Sequence, residues 1–379
     1  YLPLPYGSTN SIRIFRRCFE KMGHRVIVFA PKFKGYSDGE DGENVFRYPA
    51  FLWRYKINYP IAISLFPPAT KRAREEKLDI IHSHHPFSIG KDGARIAKKL
   101  NLPLVFTHHC RYEDYLHYVP LIPKRLLAWH VKKAATRFAN RADLVIAPSL
   151  SIKKILIKRG VTAPIEVVPT GIDLEKFKSG KREETRKKLG IGEEEKVILN
   201  VGRVEAEKNV DLLFEAAVEV ILKNKKVKLV FVGNGSKIKE LSRKAKEKNI
   251  EDQVIFVGEV KYQDVQDYYS IGDIYLQTST SETQGMTTLE AMAAGVPVVA
   301  VRATGAVDQI KDGENGRLVK ENKKEIVTAV EDFLKNNKKR KEIIRRARNF
   351  VENFSQEKSA QKVLTFYEKL IRKKNGSQR

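Results

Sequence analysis

Glu282 and Glu290 bracket a stretch of chain that could hold an anion. From residue 280 the sequence runs through a polar loop to Gly285, then a run of strong helix formers from Thr287 to Ala294, then Gly295, a residue suited to a left-handed helix C-cap. Pro297 opens Val298-Val299-Ala300-Val301, which reads as a fully buried strand. With Ile274-Tyr275-Leu276 as the strand before it, the unit is strand, loop, helix, strand, and its helix begins just after Gly285. Unpaired backbone N–H groups and the positive end of the helix dipole gather at such a start and favour negative charge. An acid on either side of a phosphate-sized hole suits a ligand that is part phosphate and part polyol. An ordinary α/β unit with one surface and one capping glutamate would carry the same pattern, since strand–loop–helix units are common.

Two cations are placed to complement that site. Arg203 and Lys208 follow Val197 to Val201, read as the first strand of the same sheet, and so stand at a strand C-terminus, the edge where open α/β sheets bind ligands. There they could neutralise a diphosphate; taken alone they would also fit a solvated loop in a chain with 71 Lys and Arg. Histidines gather at the corresponding edge in the first half: His82, His84 and His85 at the end of one strand, His108 and His109 after the next. No Asp or Glu is interleaved with them at ligand spacing, so the reading is a histidine that donates to or polarises a sugar–phosphate group rather than a zinc site. No metal and no cofactor is expected. Gly233-Asn234-Gly235 follows a strand, but Ile238 holds the place of the third glycine and no acid closes the next strand, which argues against a dinucleotide site. No Walker A run occurs.

These residues need a scaffold of alternating strands and helices. In the first half a helix capped by Asn10 or Ser11 runs to about Met22; strands are read at 25–30, 79–82, 104–107, 144–147 and 165–168, and helices at 90–100, 125–139 and 151–159. Tyr1 to Gly7 reads as a loop. A doubly wound domain normally places a strand before such a loop, so about eight to ten further residues are expected ahead of Tyr1, from the mean strand length plus a start. The second half repeats the grammar, with strands at 197–201, 228–232, 254–257 and 274–277 and helices at 210–222, 237–248 and 263–270. A lysine-rich helical tail begins at Lys323, and its last piece, from Ser355, carries Val363, Phe366, Tyr367 and Leu370 at helical spacing. The fold class is α/β with two Rossmann-like domains, a length of 379 residues suiting two domains of ordinary size. The boundaries read as 1–168, 169–354 and a final helix with its tail at 355–379.

The formal net charge is +25, and residues 1–168 hold 29 Lys and Arg against 13 Asp and Glu. Such a bias attracts an anionic partner: nucleic acid, a phosphorylated small molecule or an anionic membrane surface. A Lys/Glu-rich surface of the thermophile kind would account for much of the excess in the second half. No nucleic-acid-binding motif is recognised, and nucleic acid is not expected. Two segments suit an anionic lipid surface: Lys124, Arg125, Lys132 and Lys133 beside Leu126, Leu127 and Trp129, and Trp53 and Tyr55 beside Arg54 and Lys56. The first would equally fit an amphipathic helix packed on its own sheet. Cys18 and Cys110 lack metal spacing and point to a reducing compartment. No apolar run reaches membrane-spanning length, the best, 57–70, being broken by Pro60, Pro67 and Pro68. The expected location is cytoplasmic, peripheral on the inner face of the cell membrane.

At these residues the sequence resembles retaining glycosyltransferases of family 4, over nearly the whole chain. Glu282 to Glu290 matches the family's Glu-x7-Glu motif, Gly202-Arg203 with Lys208 its donor-phosphate element, and Val168 to Asp173 its hinge motif. Tyr1-Leu2-Pro3 through Gly7 to Arg13 matches the loop after the family's first strand. The resemblance implies the GT-B architecture, two Rossmann-like domains facing across a cleft with the C-terminal helix returning to the N-terminal domain. It implies that the N-terminal domain binds the acceptor and the C-terminal domain a nucleotide sugar. By the same resemblance, Arg203 and Lys208 hold the diphosphate and stabilise the departing nucleotide, Glu290 accepts from ribose hydroxyls, and Glu282 contacts the donor sugar, helped by backbone at Gly285, Met286 and Thr287. Gly7 lets its loop approach the phosphates, and His109 lies near the transferred sugar. Catalysis is implied to be metal-independent, with cations in the place of a metal. Within the family, the segments 82–87 and 107–118 are similar to those of enzymes that glucosylate diacylglycerol. The expected reaction is therefore hexose transfer, glucose from UDP-glucose, to a lipid acceptor such as 1,2-diacylglycerol. A soluble acceptor, a donor such as GDP-mannose, or a non-catalytic membrane- or nucleic-acid-binding protein with a degenerate cleft are the alternatives. Asp308 stands where many relatives place a Glu before the Gly313–Gly316 turn, which leaves the donor sugar open.

Overall fold

Short apolar runs alternate with helical spacing along the chain, and they fold into parallel strands covered by helices. The computed structural model describes residues 1–3, 7–53, 59–64, 66–118 and 123–376. Two compact units result, one of Tyr1–Gly171 with Gln356–Arg379 and one of Ile172–Ser355.

In the first unit, β1 (Val28–Pro31) and β2 (Val45–Tyr48) pair in parallel, while β3 (Ala50–Trp53) and β4 (Tyr59–Ala62) form an antiparallel pair. The four-stranded parallel sheet is β5 (Ile81–Ser83), β6 (Leu104–Thr107), β7 (Leu144–Ala147) and β8 (Ile165–Val167), in that order. Every residue of β6 and β7 is buried, as in a parallel sheet covered on both faces. The helix Gln356–Gly376 belongs to this unit; it buries Ala360, Val363 and Tyr367, and the Tyr367 ring lies 5.5 Å from Phe19 of the helix Gly7–Lys21. Among the described strands β1 pairs only with β2 and β5 only with β6. Between those two open edges lies a cavity of about 780 Å³, lined by Val26 to Pro31 on one side and Ile80 to His85 on the other.

Several expectations change here. The first helix begins at Gly7, which the sequence reading left in a loop, and not at Asn10 or Ser11. A first turn tolerates small polar residues because its N–H groups have no partner within the helix, and Ser11 Oγ lies 2.9 Å from Thr170 Oγ1. Strand β1 starts at Val28 rather than Arg25, whose side chain pairs with Glu76 at 2.7 Å. Trp53, read as part of an aromatic and basic surface segment, ends β3 of the β3–β4 pair, opposite Tyr59.

In the second unit a six-stranded parallel sheet runs in the order β11-β10-β9-β12-β13-β14. Its strands are β9 (Lys196–Val201), β10 (Val227–Val232), β11 (Val254–Gly258), β12 (Ile274–Gln277), β13 (Val298–Val301) and β14 (Arg317–Val319). This is the doubly wound order, and its topological switch point falls between β9 and β12, where ligands of such sheets bind. Alternation in β9 feeds both faces: Ile198 joins the core under the helices Val210–Lys223 and Lys323–Lys335, while Val197 and Leu199 join that under Met286–Ala293 and Asn337–Val351. The three-residue β14, with an Arg at its head, carries too little pattern to be read from sequence.

Candidate active site

The loops that leave β9 and β12 lie side by side because those strands pair, Tyr275 opposite Leu199. Gly202, at φ +143, turns the chain out of β9, and a single 3-10 turn, Ala206–Lys208, delivers Lys208. Thr278, at the end of β12, donates to the carbonyls of Lys208 and Asn209 at 3.2 and 2.8 Å, and Ser281 donates to the Glu207 carbonyl at 3.1 Å. The two loops are thus stitched together, and Lys208 Nζ donates to Glu282 Oε1 at 2.6 Å. Arg203 pairs with Glu207 at 2.7 Å. Both cations singled out from sequence are held by carboxylates at the switch point, and Glu207 was not among the residues read from sequence.

The helix Met286–Ala293 starts beside them. Gly285 precedes it in the left-handed region at φ +83, and a Cβ there would lie 3.4 Å from Gln309 Oε1. Met286 and Thr287, half-buried, form the first turn, so their N–H groups belong to the unpaired set at the helix start. Glu290 sits one turn further in, buried, and Tyr269 Oη donates to its Oε2 at 2.7 Å. The two glutamates titrate in opposite directions. Burial alone would raise Glu282, but the charge and hydrogen bond of Lys208, a hydrogen bond from Ser279 and the charge of Arg203 hold it below the ordinary carboxylate value. For Glu290 burial wins, and its pKa is raised in spite of Tyr269, Lys176 and Tyr262. No sequence motif marks Tyr269; its helix, Val265–Ser270, and Met286–Ala293 both pack on the short helix Leu174–Lys178, and that packing brings it to Glu290.

Gly233 and Gly235, which look like part of a dinucleotide motif, have another task. A Cβ on Gly233 would meet the Gly202 carbonyl oxygen at 1.9 Å, and one on Gly235 that of Val204 at 2.1 Å. The two glycines let the β10 loop close on the loop that carries Arg203, with Val204 N donating to the Asn234 carbonyl at 3.0 Å. Gly305 does the same behind Glu282, whose carbonyl oxygen would lie 3.0 Å from its Cβ.

In the first unit, the loops after β5 and β6 bring histidines together. His84 Nδ1 lies 2.7 Å from His109 Nε2. Burial pushes His109 down to about 4, with His85 adding to it, and His82, His85 and His108 are likewise held low by burial. Gly7 is exposed at the start of its helix. Among the described residues no cluster of three or more His, Cys, Asp or Glu could hold a metal ion.

The proposed lipid-facing residues are divided. On the helix Lys124–Ala139, Ala135, Phe138 and Ala139 enter the core, Phe138 edge-on to Phe106 at 5.0 Å, so the packed-helix alternative describes its second half. Its first half exposes Leu126 and Trp129, 53% and 54% accessible, with Arg125, Lys132 and Lys133 also exposed and Lys133 Nζ 4.4 Å from the Trp129 ring. Lys124 heads the helix, but its side chain is not among the described ones. Trp53 is half-buried in β3, and Tyr55 lies outside the described residues. Among the described residues no helix is long and apolar enough to cross a membrane.

Comparison with known proteins agrees with this architecture. The family model "Glycosyl transferases group 1" matches residues 181–350, and "Glycosyltransferase Family 4" matches residues 6–176. The chain is 36% identical over 308 residues to alpha-monoglucosyldiacylglycerol synthase of Streptococcus pneumoniae, covering 79% of this chain and 69% of that protein. To the enzyme of the same name from Acholeplasma laidlawii it is 33% identical, over 83% and 82% of the two chains. Among solved structures, Anabaena Alr3699/HepE in complex with UDP-glucose superposes with a TM-score of 0.79 over 97% of both chains at 22% identity, a likeness of fold. Kinship that runs through both units, on two Rossmann-like sheets, makes this chain a member of glycosyltransferase family 4: an enzyme of the GT-B fold that transfers a glycosyl group.

Proposed function

We propose that this enzyme transfers a hexose, glucose carried by UDP, with retention at the anomeric carbon, to a lipid acceptor such as 1,2-diacylglycerol. The observation that carries the donor half is the Lys208–Glu282 pair beside Arg203–Glu207, at a helix N-terminus on the switch point. A diphosphate brings negative charge to cations already gathered there, and the exchange releases Glu282 to accept hydrogen bonds from the sugar hydroxyls. Gly285, Met286 and Thr287 supply backbone at the helix start, and Glu290 accepts from the ribose. As the sugar leaves, charge grows on the diphosphate, and Arg203 and Lys208 stabilise it; removing one such group costs about 100- to 1,000-fold in kcat. We assign His109 to the transferred sugar and the helix start at Gly7 to the phosphates.

The acceptor half is supported by the relatives named alpha-monoglucosyldiacylglycerol synthase and by the exposed Leu126 and Trp129 among basic side chains. Apolar and aromatic residues flanked by Lys and Arg suit the interface of an anionic membrane, and the enzyme would work as a peripheral protein on the cytoplasmic face. Vesicles of diacylglycerol with an anionic lipid, given radiolabelled UDP-glucose, are expected to gain an α-glucosyl lipid. Arg203→Ala should slow this about 100-fold or more, and Leu126→Ser with Trp129→Ser should weaken vesicle flotation while leaving UDP-glucose hydrolysis intact. Absence of lipid product with UDP-glucose, UDP-galactose and GDP-mannose alike would sink the reading.

A further inference from the structure

Two imidazoles meet where the loops after β5 and β6 come together. His84 Nδ1 lies 2.7 Å from His109 Nε2, with ring centroids 5.0 Å apart and planes inclined by 22°. Behind His84 is His82, its ring centroid 4.1 Å away. His82 is pinned at both nitrogens: Nε2 is 2.7 Å from Thr107 Oγ1, and Nδ1 is hydrogen-bonded to the hydroxyl of Tyr367. His84 therefore rests on a ring that cannot turn without breaking two hydrogen bonds.

Burial keeps these rings uncharged at neutral pH, holding His82 at about 3, His109 at about 4 and His84 well below its usual value. Two neutral imidazoles in contact through one Nδ1 and one Nε2 hold a single proton between those atoms, since two lone pairs or two N–H groups would repel. The hydrogen bond made by one ring nitrogen decides whether the other is protonated. When His84 Nδ1 is the donor, His109 carries its own proton on Nδ1; when His109 Nε2 is the donor, its Nδ1 is a lone pair. We infer that His84 is a positioning residue for His109, and that their shared proton fixes the one tautomer in which His109 meets the transferred sugar. The inference rests on the role proposed above for His109.

An asparagine at position 84 puts its amide near the place of Nδ1, where its N–H or C=O replaces either a donor or an acceptor, whereas a glutamine puts its amide near Nε2. Nitrogen-15 labelling of the eight histidines and long-range nitrogen–proton correlation read the His109 tautomer directly. One tautomer is expected in the wild type and in His84→Asn, and a mixture in His84→Gln and His84→Phe. Turnover of UDP-glucose should fall about tenfold or more in His84→Gln, as expected when a working group is left misoriented, with KM for the donor unchanged and most of the loss recovered in His84→Asn. A His109 signal that keeps one tautomer in both His84→Gln and His84→Phe, or turnover that falls equally in Asn and Gln variants, overturns the inference. A wild type that transfers no sugar defeats the functional reading, while the tautomer measurement still decides this one.

Discussion

Glu282 and Glu290 stand on one loop–helix unit, yet a proton affects them with opposite sign. The Glu282 pKa is depressed in the fold, so its ion pair with Lys208 contributes stability above the unfolded value of about 4.3 and loses it as pH falls through the folded value. The Glu290 pKa is raised, so its contribution is full below that unfolded value and is lost as pH rises through the folded one. Towards the alkaline end of the range from pH 4 to 8, Glu290 therefore costs stability, and Glu290→Gln, which keeps an acceptor for Tyr269, should hold or raise the Tm of the ligand-free enzyme there. Glu282→Gln should lower stability by on the order of 1 kcal/mol, and Tm with it, the pair being only partly exposed. Thermal melts across that range test this: equal falls for the two variants at its alkaline end would contradict the assigned signs. Both changes should impair sugar transfer, because under the proposed function both carboxylates meet the donor.

At the scale of elements, what could be read in the sequence followed the length and purity of each run. The buried strands β9, β12 and β13 and the helix after Gly285 declare themselves, because a continuous apolar run or a Gly stop needs no partner to be recognised. Strands β2, β3, β4 and β14 were missed; each is three or four residues with aromatic, Pro or Arg in it, and only pairing makes it a strand. The cations and glutamates were visible as types at loop positions, whereas the Arg203–Glu207 pair depends on the 3-10 turn that folds residue 207 back on 203, and the Tyr269 contact on how its helix packs. Gly233 and Gly7 show the same limit, since both are glycines near a strand end or loop, with different demands. Gly233→Ala puts a Cβ against a backbone oxygen at φ +138 and must displace the Arg203 loop, so Tm and turnover should fall together. A Cβ on Gly7 meets nothing within 4 Å among the described residues. Gly7→Ala should therefore leave Tm unchanged, and a drop in turnover alone would mark close approach of the donor phosphates there; a falling Tm would show that its role is structural.

Over the whole molecule, a net charge of +25 sets the long-range pull towards anionic partners, but it leaves the stability of each unit to its core. In the first unit that core has an opening. The cavity of about 780 Å³ has strand edges on two sides, β1 and β5, and helices over its faces through Phe15, Phe19, Ile96 and Tyr367. Among the described strands neither edge has a second ladder partner, and the walls are largely apolar, which is the environment of a central parallel strand. Tyr1 lines the same cavity. A six-residue extension of alternating Val and Ile fused ahead of Tyr1 should therefore enter the cavity, pair with both edges and raise Tm by about 2–4 °C for each kcal/mol gained. A second extension with Pro at its centre lacks an N–H for the ladder and should lose most of that gain. Calorimetry of the two fusions beside the parent chain decides it: equal Tm values for all three would mean that the open edges do not take a strand.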